Sequence, residues 1–110
     1  MTDDWGQDPS VRFMRRVFQR MEATQKELVE SVNISPFDNR LRHWREETRN
    51  LFEQAWTAAA RQGLPINEDE AGTLYALCFA RTLRSDGVEI PDEALPKNAA
   101  MSRWVQQVQP

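Results

Sequence analysis

The chain has 110 residues, a length that bounds it to a single domain. Hydrophobic residues make up 40% and charged residues 28%, with a formal net charge of −3, so the overall field does not drive binding to nucleic acid or anionic membrane. One cysteine excludes an intramolecular disulfide and a Cys-based metal cluster, and only four glycines argue against a Gly-rich phosphate loop.

The start, Met1-Thr2-Asp3-Asp4, is acidic where a secretory signal needs basic residues followed by an apolar run. No window approaches the roughly 18 apolar residues of a membrane span. A cytoplasmic protein is the expectation. Residues 1–8 read as a flexible N-terminal head and 9–110 as one helical domain.

Asp8-Pro9-Ser10 is a cap-and-proline start, predicting a first helix over about 10–32. Val11, Met14, Phe18, Met21, Gln25, Leu28 and Val32 recur at alternating spacings of three and four, a seam with one polar interruption at Gln25. Asn33-Ile34-Ser35-Pro36 breaks the pattern, and Pro36 is expected to open the next helix. That second helix, about 36–62, carries Phe37, Leu41, Trp44, Thr48, Leu51, Ala55 and Ala58 on its seam. Gly63 and Pro65 close it. The pair reads as a long antiparallel hairpin with a very short link.

Asn67, with Glu70 three residues on, signals a capping box and a third helix over about 67–85. From Leu74 to Ala80 every residue is apolar, so this helix must be covered on all sides. Val88-Glu89-Ile90-Pro91 reads as an extended crossing, and Asp92-Glu93-Ala94-Leu95 as a single turn. Asn98 caps a short helix, about 98–108, with Met101, Trp104, Val105 and Val108 on one face. This helix is expected to clasp the third; a second copy of the chain is the other available cover. The fold class is an all-α helical bundle.

Arginine placement is the most informative polar feature. Residues 11–49 carry nine bases against six acids, while 50–110 carry five against eight. Arg12, Arg15, Arg16 and Arg20 fall within about 140° of arc on the first helix. Arg42, Arg45 and Arg49 edge the second and lead toward Trp56. Arg and Trp are enriched where protein interfaces concentrate their binding energy, and the Arg fork also matches carboxylate and phosphate. The same residues also fit a solvated helix face with Trp56 as an internal wall.

His43, the only histidine, has Glu46 and Glu47 at i+3 and i+4, but a di-metal carboxylate site needs two such histidine motifs. Its angle places it at the surface. Cys78 lies in the all-apolar stretch and reads as a buried small hydrophobe. The expectation is a non-enzymatic protein–protein interaction module, adaptor or regulatory subunit. It self-associates through helix faces and uses no cofactor, metal, membrane or small-molecule substrate. The alternative is a nucleic-acid-binding regulator that contacts phosphates through the same arginines.

Overall fold

The computed structural model describes residues 8–108. The expected N-terminal head, apart from Asp8, and the last two residues lie outside that range. Four α-helices follow in order: α1 (Pro9–Ser31), α2 (Leu41–Arg61), α3 (Glu68–Ser85) and α4 (Ala99–Gln107), with one 3-10 turn at Asp92–Ala94. Among the described residues there is no strand.

The helix starts are written in side chains. The Asp8 carboxylate accepts from the Ser10 backbone N–H at 2.8 Å, with Pro9 at the first helical position. At α3 both halves of the capping box form: Glu70 N–H to Asn67 at 2.8 Å and Asn67 N–H to Glu70 at 3.1 Å. Glu68, Asp69 and Glu70 then lie in its first turn, favourably placed against the helix dipole. Asn98 accepts from Met101 N–H at 3.1 Å to start α4.

The three long helices stop in the same way. Asn33, Gly63 and Gly87 adopt left-handed φ values of 58°, 72° and 83°. The amide of the next residue (Ile34, Leu64 or Val88) returns to a carbonyl of the last turn, on Val29, Ala59 and Leu83. Each is a Schellman ending, which satisfies carbonyls that a helix terminus leaves open.

The start of α2 differs from expectation. Pro36 does not open the helix; α2 begins five residues later, at Leu41, and the link spans residues 32–40. Ser35 and Asp38 capture the chain first. The Ser35 hydroxyl accepts from Phe37 N–H at 3.1 Å, and its carbonyl accepts from Asp38 N–H at 3.0 Å. The Asp38 carboxylate then accepts the Arg40 backbone N–H at 2.9 Å and both ends of its guanidinium fork. Short polar side chains offer the backbone an alternative to helix, and here they win over the apolar spacing. Phe37 is therefore no seam residue: it is 92% exposed.

α3 is the central helix. Arg16 pairs with Glu68, Arg20 with Asp69, and Gln25 meets Tyr75, so α1 runs parallel to α3. Trp44 meets Asp86 and Thr48 meets Thr82, so α2 runs antiparallel to α3 and to α1. The Trp44 ring is fully buried; its N–H donates to Asp86 at 2.6 Å, and the Arg40 guanidinium stands 4.6 Å from the ring centre. α4 packs on α3 and α2 with Met101, Val105 and Val108 buried, and Arg81 of α3 donates to the Val105 carbonyl. All residues from Leu74 to Ala80 are buried. The cover that α3 demands thus comes from its own chain, so the apolar stretch is no argument for a second copy.

Candidate functional site

The expected seam of α1 divides in two. Val17, Met21, Leu28 and Val29 are buried, while Met14 and Phe18 are 42% and 48% exposed. At 100° per residue, Met14 and Phe18 stand about 50° and 90° around the axis from the Val17–Leu28 line. α1 packs against α3 rather than flush against α2, which turns its contact line away from those two side chains.

A trough opens between α1 and α2 as a result. Its wider section, about 690 Å³, has Tyr75 of α3 at the floor, Val29, Pro36 and Leu41 at one end, and Phe18 and Met21 at the other. A second section, about 340 Å³, shares Phe18, Met21 and Arg49 with the first and continues to Met14, Phe52 and Trp56. From Val29 back to Met14 it follows α1 for about 22 Å, four helical turns. Trp56 closes that end. It is half-buried, 5.5 Å from the Phe52 ring and 6.3 Å from Phe13, so it is both a wall between helices and part of the open lining.

The arginines expected to form one face have several different surroundings. Arg16 pairs with Glu68, and Arg20 with Asp69 at 2.7 Å, so these two neutralise the acidic first turn of α3. Arg42 stands 3.8 Å from Glu46 on its own helix. Arg45 and Arg49 line the trough. Arg15 borders Phe18 on the outer edge of α1, beside Val11 and Met14. Arg12 is exposed on α1. Angular clustering on one helix could not show that α3 delivers carboxylates to two of its members.

The polar centre of the trough is one that the seam reading registered only as an interruption. Gln25 projects between the helices and meets the Tyr75 hydroxyl at 2.8 Å. With its amide nitrogen toward Tyr75, its oxygen accepts from Arg45 Nε at 2.5 Å and Nη2 at 3.2 Å. Burial pushes the Tyr75 hydroxyl up to about 12, against the pull of nearby Arg49 and Arg45.

His43 lies on the exposed side of α2, with Nε2 at 3.1 Å from Glu47. Cys78 is fully buried, and burial pushes its thiol up to about 12. Among the described residues, no group of three or more His, Cys, Asp or Glu side chains could hold a metal ion. No helix there is long and apolar enough to cross a membrane. No protein-family model matches this chain, and comparison with curated proteins and with solved structures finds no match.

Proposed function

We propose that this chain is a non-enzymatic protein–protein interaction module, an adaptor or regulatory subunit of the cytoplasm that associates through helix faces, its own included. One observation carries the reading. Phe18 and Met14 stand half-exposed beside Trp56 on the α1–α2 face, although the chain buries every residue of the apolar Leu74–Ala80 stretch of α3. An apolar cluster rimmed by charge is the anatomy of a protein interface.

The non-enzymatic part rests on the surroundings of the reactive side chains. A thiol held near 12 in an apolar core is a poor nucleophile, and His43 faces a single carboxylate at the surface. The phosphate-binding alternative draws less support, because Arg16 and Arg20 already face carboxylates.

The test is affinity capture from the native cell with the full chain, its Phe18→Glu variant and its Arg103→Ala variant on α4. A co-purifying chain should be retained by the wild type and Arg103→Ala, and lost with Phe18→Glu. Identical capture by all three, or affinity for nucleic acid that falls steeply with salt, overturns the reading.

A further inference from the structure

Four charged side chains border the Phe18 patch: Arg15 and Glu22 on α1, Arg49 and Glu53 on α2. Among the described residues none of the four forms an ion pair, whereas Arg16, Arg20, Arg40, Arg42 and Arg84 each do. On the Met14–Trp56 side the rim therefore carries two open charges of each sign and is neutral as a set, while Lys26 and Arg45 add positive charge to the adjoining wider section. A rim of one sign would select an oppositely charged partner. An alternating neutral rim is complementary to itself, which is what a two-fold interface requires.

We propose that a second copy of this chain covers the patch, through a two-fold antiparallel pairing of α1 centred near Phe18. The proposal rests on the reading of this face as the binding surface and names its occupant. The register follows from the sequence. Arg15 lies three residues before Phe18 and Glu22 four after it, and at 100° per residue the two are only about 20° apart around α1. A two-fold axis crossing between residues 18 and 19 reverses the helix and keeps each flank on its own side. It sets Arg15 of one copy against Glu22 of the other, twice. Arg49 and Glu53 repeat the opposite-sign pattern along α2 on the other flank. The two Phe18 rings then meet at the axis, shielded from water, with each Met14 flanking them about 7 Å along α1.

Sedimentation equilibrium of the full chain, from low to high micromolar concentration, tests this. The wild type should pass from monomer to dimer mass as concentration rises. Phe18→Glu should stay monomeric with unchanged helix content by circular dichroism, because that ring makes little of the core. Arg15→Glu should weaken the dimer by about tenfold, and adding Glu22→Arg should restore most of that loss. If Phe18→Glu does not fold, the charge-swapped pair decides alone. A monomer at every concentration overturns the second copy and the self-association in the proposed function, and leaves the face to a different protein. A dimer indifferent to Phe18→Glu, or a double swap that restores nothing, overturns the proposed pairing.

Discussion

The Tyr75 hydroxyl lies 2.8 Å from the Gln25 side-chain amide, joining α3 to α1 at the floor of the trough. Because the other end of that amide accepts from Arg45, one glutamine ties three helices together. A leucine in its place would continue the apolar seam. It would also leave the half-buried hydroxyl and the guanidinium without their partner.

Gln25→Leu should therefore destabilise the fold by about 1–2 kcal/mol despite the added apolar surface, since an unmet polar group costs its desolvation. Tyr75→Phe should cost less, as Gln25 keeps Arg45. The double variant should recover most of the Gln25→Leu loss. Denaturant midpoints of the four proteins check this, and simple additivity of the two losses would contradict the network.

Two raised acid groups give the fold an alkaline limit. Tyr75 and Cys78 sit near 12 in the folded chain against ordinary values of 10.0 and 9.0, both through burial. The unfolded chain thus loses these protons first. Their contribution to stability is complete below about pH 9, falls as pH rises, and is gone above about 12. Chemical denaturation between pH 8 and 11 should show this decline. Tyr75→Phe should remove up to about 1.4 kcal/mol per pH unit of the slope above pH 10. The same burial predicts that a thiol reagent labels Cys78 only as the protein unfolds.

Much of this architecture is legible in the residues because local chemistry and apolar pattern agree. Asp8-Pro9, Asn67 with Glu70, Gly63 and Asn98 mark helix ends by hydrogen bonds that the adjacent backbone must make. The run from Leu74 to Ala80 can only be buried. The start of α2 is not legible, because Pro36 permits a helix that Ser35 and Asp38 divert into turns. The site is legible only in part. Periodicity places Met14, Phe18, Met21 and Leu28 on one stripe. It cannot say that α3 takes the Val17 side and leaves Phe18 in the open. Nor can it pair Arg16 with Glu68, since that contact depends on how far apart the chain sets its helices.

Inside the α2–α3 contact, the Thr48 hydroxyl donates to Thr82 at 3.1 Å, and Thr82 in turn donates to the Cys78 carbonyl at 3.1 Å. Both threonines are buried. The chain has a direction, so the two valine substitutions should differ. Thr82→Val strands the Thr48 hydroxyl in the core and should cost about 1–3 kcal/mol. Thr48→Val leaves Thr82 its carbonyl acceptor and should cost less. The double valine, isosteric and apolar, should be more stable than Thr82→Val alone. Equal losses from the two single variants would show that the hydroxyls are satisfied in some other way.

Gly72 has a different role from the glycines that end helices: it lets α1 approach α3. A Cβ there would lie 2.7 Å from Arg20 Cγ and 2.9 Å from Cδ, far inside van der Waals contact. Those atoms are mid-chain, so the Arg20 side chain must swing away and release Asp69. That ion pair is exposed and is worth little. The larger effect is the crowding itself, about 1–3 kcal/mol for an overpacked contact, against about 1 kcal/mol gained from alanine's helix propensity. Gly72→Ala alone should be destabilising by about 1 kcal/mol. With Arg20→Ala the obstructing methylenes are gone, Thr24 Oγ1 at 3.3 Å is the nearest remaining neighbour, and Gly72→Ala should become neutral or stabilising. A thermal-denaturation cycle reads this change of sign directly; an equal loss in both backgrounds would mean that the Arg20 methylenes are not what the added methyl group crowds.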